Sequence, residues 1–277
     1  MANNQNEIII DDVKICYRLY GNGPANLLLL HGAVGSYEDF RLQLDESSNA
    51  SLSADQFTVV APDLPGFGRS EVFNEEKRQN CLPTLEYYEW CAEVCAKLMA
   101  KLNHKTYSVA GWSDGARVGA LLAIKSPSRV DSLILWGFSP VMDKEWCLAT
   151  ARARDTSSWE PSVIQTYSDV YGEQNFSELW RAYVDFVVKT LEMPEQLFDI
   201  RSRLSLIKCP TLVLHGSLDP IINYRAHVKP IEMQIYDSQI SQFKGLAHNI
   251  HQADPAQFNQ VLAKFVSTNV VLTSVGA

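Results

Sequence analysis

The sequence predicts an α/β architecture: a mostly parallel central sheet with helices on both faces and a helical cap inserted late in the chain. Three observations carry this. Short aliphatic runs alternate with longer amphipathic stretches, as buried parallel strands alternate with covering helices. The strand-like runs stop at residue 137 and resume after 205, with an aromatic-rich stretch between. The buried strand at 107–110 passes through Gly111-Trp112-Ser113-Asp114-Gly115 into an apolar helix, which sets a G-x-S-x-G between strand and helix.

The elements follow in order. Residues 7–20 alternate and are rich in β-branched side chains around Asp11-Asp12, which predicts a hairpin. Gly21-Asn22-Gly23-Pro24 ends it. Residues 27–30 form a buried strand, followed by the turn His31-Gly32-Ala33-Val34-Gly35-Ser36. A Gly-rich turn there brings backbone N–H groups close to a ligand. A short helix is expected at 37–44, a strand at 57–61, and a turn-rich segment from Pro62 to Ser70. Thr84 caps an amphipathic helix over 84–102, with Tyr88, Cys91, Cys95, Leu98 and Leu102 on one face.

After the strand at 107–110, an apolar helix over 116–124 stops near Ser126-Pro127. Residues 133–136 form another strand, closed by Gly137. Strand character returns at 211–214, and a last strand is expected at 233–236. Asp254-Pro255 opens the final helix, with Phe258, Val261, Leu262, Phe265 and Val266 on its buried face. The core is therefore expected at 1–137 and 206–277, and the cap at 138–205. The cap aromatics Trp146, Trp159, Tyr167, Tyr171, Phe176, Trp180, Tyr183 and Phe186 are read first as helix-packing residues.

Composition bounds the function. The chain has 277 residues, 46% of them hydrophobic, enough for one large core. The net charge of −8 comes with no basic run, which excludes a nucleic-acid partner and favours cationic small molecules. The opening MANNQNEIII lacks the basic residues of a signal peptide, and the longest aliphatic run is far too short to span a bilayer. Six cysteines form no C-x-x-C pair, so Cys91 and Cys95 are expected as core thiols. The expectation is a cytoplasmic monomer without cofactor, metal or membrane partner.

In such sheets ligands bind outside the carboxyl ends of the strands. His31, Asp63, Ser113 and Asp219 all follow predicted strands at that end. A serine hydroxyl is a weak nucleophile and needs a base, which in turn needs an orienting acid. Nucleophile elbows find these partners in the order Ser, Asp or Glu, His. Ser113, Asp219 and His248 occur in that order. Asp143 is a rival acid and His251 a rival base. His248-x-x-His251 lacks a carboxylate or cysteine at ligand spacing, so no metal is expected. The backbone N–H groups of Asp114 and Ala33 would form an oxyanion hole, with His31 bracing the loop. Serine at the nucleophile position points to esters, amides or thioesters. The Asp114 carboxylate would repel a developing oxyanion, a cost that pairing with a substrate ammonium offsets.

LLLLHGAVGS at 27–36, FTVVAPDLPGFGRS at 57–70 and VAGWSDG at 109–115 resemble the α/β-hydrolases. GWSDG, LILWG at 133–137, KCPTLVLHGSLDP at 208–220 and GLAHNIH at 245–251 resemble the valacyclovir hydrolase (biphenyl hydrolase-like) subfamily more closely. DTSSW at 155–159 and YG at 171–172 add to this likeness. That subfamily cleaves α-amino-acid esters. The resemblance implies Ser113 as nucleophile, Asp219 as acid, His248 as base, and Asp114 as the residue that binds a substrate ammonium. The chain departs from the subfamily in having His31-Gly32 in place of Pro-Gly, and its insertion diverges widely.

The function expected is therefore a serine hydrolase cleaving small esters, foremost α-amino-acid esters, through an acyl-enzyme. Two alternatives stand beside it. One is carbon–carbon bond hydrolysis of dienone acids. The other is a non-catalytic receptor for a small ligand on the same fold.

Overall fold

The alternating stretch at the start folds as a hairpin. Strands β1 (Gln5–Ile10) and β2 (Val13–Tyr20) pair antiparallel about Asp11 and Asp12, with Asp11 at a φ of 52°. The computed structural model describes residues 5–48, 50–193 and 198–275, without the side chains of 271–275. The opening residues 1–4 and the cap residues 194–197 lie outside the described residues.

Next come β3 (Ala25–Leu30), β4 (Phe57–Pro62), the two-residue β5 (Glu71–Val72), α1 (Glu75–Gln79) and α2 (Leu85–Lys101). Thr84 caps α2 as expected, its side chain accepting from the Tyr87 N–H at 3.2 Å. The elbow joins β6 (Tyr107–Trp112) to α3 (Asp114–Lys125), and β7 (Val130–Trp136) follows. The aromatic-rich stretch holds α4 (Lys144–Ala151), α5 (Pro161–Tyr171) and α6 (Glu173–Lys189). The chain closes with β8 (Thr211–Gly216), α7 (Ile231–Gln234), β9 (Ser238–Phe243), α8 (Ile250–Ala253) and α9 (Pro255–Val275).

The sheet runs β1-β2-β4-β3-β6-β7-β8-β9, with β5 paired to β2. From β4 to β9 all neighbours are parallel. The two-residue period of a strand assigns each aliphatic side chain to a face. Leu28 and Leu30 join α2 and α3 through Cys91, Cys95, Leu98 and Leu121. Leu27 and Leu29 join α9 through Phe258, Leu262 and Val266. Both faces are thus covered. Cys91 and Cys95 are free, buried thiols within the first layer.

One expected element is displaced. Residues 231–234 form a helical turn, and the last strand is β9, with sequence SQISQF. Met233 and Tyr236, which bound the expected strand, are exposed (Met233 is 88% accessible). The physical reason is position. β9 pairs only with β8 and lies at the sheet edge, where a polar strand suffices and a hydrophobic one invites aggregation. The expected helix at 37–44 is reduced to a short 3-10 turn, Tyr37–Phe40, held by a capping box between Ser36 and Asp39.

Candidate active site

The elbow is a steric construction. Ser113 adopts φ 54° and ψ −112°, a region costly for a residue with a Cβ and persistent only when the surroundings impose it. They impose it here. A Cβ on Gly111 would lie 2.3 Å from the Gly115 carbonyl oxygen, and one on Gly115 would lie 2.2 Å from that of Leu30. The Ser113 N–H donates to the Trp136 carbonyl at 2.9 Å, tying the turn to β7.

Asp219 and His248 arrive from the two loops beyond β8 and β9. Asp219 is buried, and its Oδ1 accepts from the N–H groups of Ile221 (2.9 Å) and Ile222 (3.0 Å). Its Oδ2 meets His248 Nδ1 at 2.8 Å. Burial would raise the Asp219 carboxyl, but His248 and the two backbone donors outweigh it and hold it below its usual range. The carboxylate is therefore ionised at neutral pH, and by holding Nδ1 it orients the imidazole and leaves Nε2 free of this contact.

His248 and Ser113 line one cavity of about 270 Å³ between the sheet end and the cap. No hydrogen bond joins them among the described residues; catalytic hydrogen bonds often tighten only when substrate binds. Gly137 makes room for the imidazole. At its φ of +57° a Cβ would stand 2.7 Å from His248 Cε1.

The rival residues have other work. His251 is fully buried, and its Nδ1 accepts from Trp136 Nε1 at 3.0 Å. Burial drives its imidazole down to about 3. Asp143 caps α4 through the Trp146 N–H (2.9 Å) and meets buried His227 at 3.1 Å.

The loop after β3 presents Ala33 to the same cavity. Asp114 begins α3, so its N–H has no intrahelical acceptor. These are the two donors expected of an oxyanion hole. His31 lies behind the loop. The Leu64 N–H donates to its Nε2 at 2.8 Å, so its Nδ1 carries the proton and donates to the Gly32 carbonyl, also at 2.8 Å. Burial lowers this imidazole to about 4, so it is neutral. The cap grips the loop as well. The Tyr171 hydroxyl donates to the Gly35 carbonyl at 2.9 Å and accepts from the Gly68 N–H.

Two placements depart from the sequence reading. The Asp114 carboxylate does not sit at the mouth. It is buried, its Oδ1 pairs with Arg117 Nη1 and accepts from the Tyr183 hydroxyl at 3.1 Å, and it is not among the cavity-lining residues. Burial pushes this carboxyl up, while Arg117 and neighbouring tyrosine hydroxyls pull against that. The reason for the placement is the short spacing of residues 114 and 117 on one helix face, turned into the protein. The lone arginine in an otherwise apolar helix was the available signal. The second departure concerns the cap aromatics. Trp146, Trp159, Tyr167, Trp180 and Tyr183 line the cavity as well as packing the cap.

The alpha/beta hydrolase family model matches residues 27–261. Serine hydrolase BPHL of Mus musculus is 28% identical over 261 residues, covering 94% of this chain and 85% of that protein. Pimeloyl-[acyl-carrier protein] methyl ester esterase of Proteus mirabilis is 27% identical, covering 91% of this chain and 96% of that one. Among solved structures, a bacterial membrane phospholipase A superposes with a TM-score of 0.73 at 21% identity, covering 95% of this chain and 86% of that one, a likeness of fold. None of the described helices is long and apolar enough to cross a membrane. With the matched segment spanning both the elbow and the His248 loop, this chain belongs to the alpha/beta hydrolase family.

Proposed function

We propose that the protein is a serine esterase that cleaves small carboxylic esters. The observation that supports this best is the His248–Asp219 pair at 2.8 Å, with His248 bordering the same cavity as the strained Ser113. Ser113 Oγ attacks the acyl carbonyl as His248 Nε2 takes its proton. The oxyanion is received by the N–H groups of Asp114 and Ala33. His248 then gives the proton to the leaving alkoxide, and water repeats the sequence on the acyl-enzyme to release the acid.

Restriction to α-amino-acid esters would need a free carboxylate beside the nucleophile, and that of Asp114 is already paired. Carbon–carbon cleavage of dienone acids would want a cation for the substrate carboxylate, and no Lys or Arg is among the lining residues. The test is rapid-mixing hydrolysis of 4-nitrophenyl butyrate. A burst of one nitrophenol per chain is expected, and folded Ser113→Ala should lose several orders of magnitude. Retention of activity within tenfold by that variant would remove Ser113 from the chemistry. No turnover by the parent would favour a receptor.

A further inference from the structure

Behind the wall that Trp146 and Tyr183 give the cavity lies a buried ion pair that the esterase chemistry above does not use. Arg117 is fully buried in α3, and its Nη1 holds Asp114 Oδ1. Its Cζ stands 4.6 Å from the Trp146 ring centroid, 5.5 Å from that of Phe198 and 5.7 Å from that of Tyr88. Among the described residues its Nε and Nη2 have no hydrogen-bond partner. Trp146 and Tyr183 separate this pair from the cavity, which they line on their other side.

We propose that Arg117 is a built-in counter-ion that makes the cavity select uncharged acyl groups. It takes the one carboxylate adjacent to the nucleophile, and Tyr183 and Trp146 close over the pair. The proposal rests on the esterase reading and narrows its substrate class.

An ammonium entering among Trp112, Trp146, Trp180 and Tyr183 would lose its hydration and find only ring faces, with no free buried carboxylate among the lining residues, to offset the loss. A methyl group of the same size would lose nothing. The one charged side chain among the lining residues is Glu160, which is exposed at the mouth, where water screens it. The arginine is suited to its place. Its guanidinium stays charged when buried and stacks on aromatic faces, so an incoming amine cannot displace it by proton exchange.

The experiment compares two isosteric substrates, alanine benzyl ester and benzyl isobutyrate, which differ by ammonium against methyl. The readout is the ratio of their kcat/KM values. The parent is expected to favour the isobutyrate at least a hundredfold at pH 6. The disadvantage should shrink at least tenfold by pH 9, as the amine, with an α-amino pKa of about 7.7–8.0, loses its charge. Taking the ratio cancels any titration of the enzyme that both substrates share.

Arg117→Met keeps the bulk and frees Asp114. It should move the ratio at least tenfold towards the alanine ester, and adding Asp114→Asn should reverse that gain. A parent that prefers the alanine ester, or a ratio that does not change with pH, would overturn the proposal, and the parent measurements need no folded variant. A folded Arg117→Met with the parental ratio would also overturn it. If the parent prefers the alanine ester and Glu160→Gln abolishes that preference, the amine is read at the mouth and the proposal is wrong. If neither ester is cleaved faster than by Ser113→Ala, the esterase reading fails and this inference falls with it.

Discussion

The indole N–H of Trp136 donates to Nδ1 of His251 at 3.0 Å, inside a cluster that also holds Phe40, Trp112 and Phe258. This bond separates two histidines that the sequence places three positions apart. His251 serves the core, and His248 borders the cavity that Ser113 also lines. His248→Ala should therefore approach the loss caused by Ser113→Ala, because the two act as one unit. His251→Ala should keep kcat/KM within about tenfold, yet lose stability. Its removal orphans the Trp136 donor at a cost of about 1–3 kcal/mol, before any cavity term. Kinetics and thermal melts on both variants check this; the opposite pattern would move the base to His251.

Gly137 sets the reach of His248. A methyl group at 137 would press on Cε1 from 2.7 Å and demand a positive φ of an alanine. Gly137→Ala should displace the imidazole by a fraction of an ångström to an ångström and lower kcat roughly a hundredfold. Binding of a non-reactive ester analogue should change much less. A variant that folds and turns over at the parental rate would show that the loop absorbs the push.

Tyr171 is the fastening between the cap and the two loops that frame the nucleophile. Tyr171→Phe removes both bonds, worth about 0.5–1.5 kcal/mol each. The expected result is faster hydrogen exchange at the Gly68 amide, a Tm lower by a few degrees, and a kcat reduced several-fold. Unchanged exchange at Gly68 would show that the cap is held elsewhere.

Asp39 is buried beside the same loop, and burial pushes its carboxyl up to about 8 despite the Ser36 N–H. An unfolded aspartate titrates near about 3.9. Between those values the folded chain holds a proton that the unfolded chain has released, so stability falls as pH rises through the window. Asp39→Asn cannot ionise. Its stability relative to the parent should therefore climb between pH 5 and pH 8, as read from urea midpoints. A difference that stays constant with pH would mean that Asp39 titrates as an ordinary carboxyl.

The elbow was legible because sterics leave little choice: Gly111 and Gly115 have no room for a side chain, and the strand and helix around them follow from aliphatic runs. Chain order and the ends of predicted strands singled out Asp219 and His248, which the structure places in contact at 2.8 Å. The last strand was misplaced because Met233 and Tyr236 carry the apolar signal, whereas SQISQF at the edge needs none. Arg117 beside Asp114 was visible as spacing, but only the packing of Tyr183 and Trp146 decides that the pair turns inward. Tyr183 falls in the run Phe176, Leu179, Tyr183 and Phe186, a helical spacing that suits both packing and lining residues, so periodicity could not separate the two roles.

The sheet order has a consequence for how the molecule comes to life. Ser113 follows β6, Asp219 follows β8 and His248 follows β9, strands that adjoin through β7 in sequence order, so bringing the three together waits for β7 to pair with β8 across the inserted helices. Such contacts form slowly, since closing long chain loops precedes any reward. During synthesis the elbow emerges long before Asp219 and His248. On the proposed esterase reading the nascent chain carries a serine without its partners until β8 and β9 dock, and regain of turnover after dilution from denaturant would report that docking rather than the recovery of helix signal.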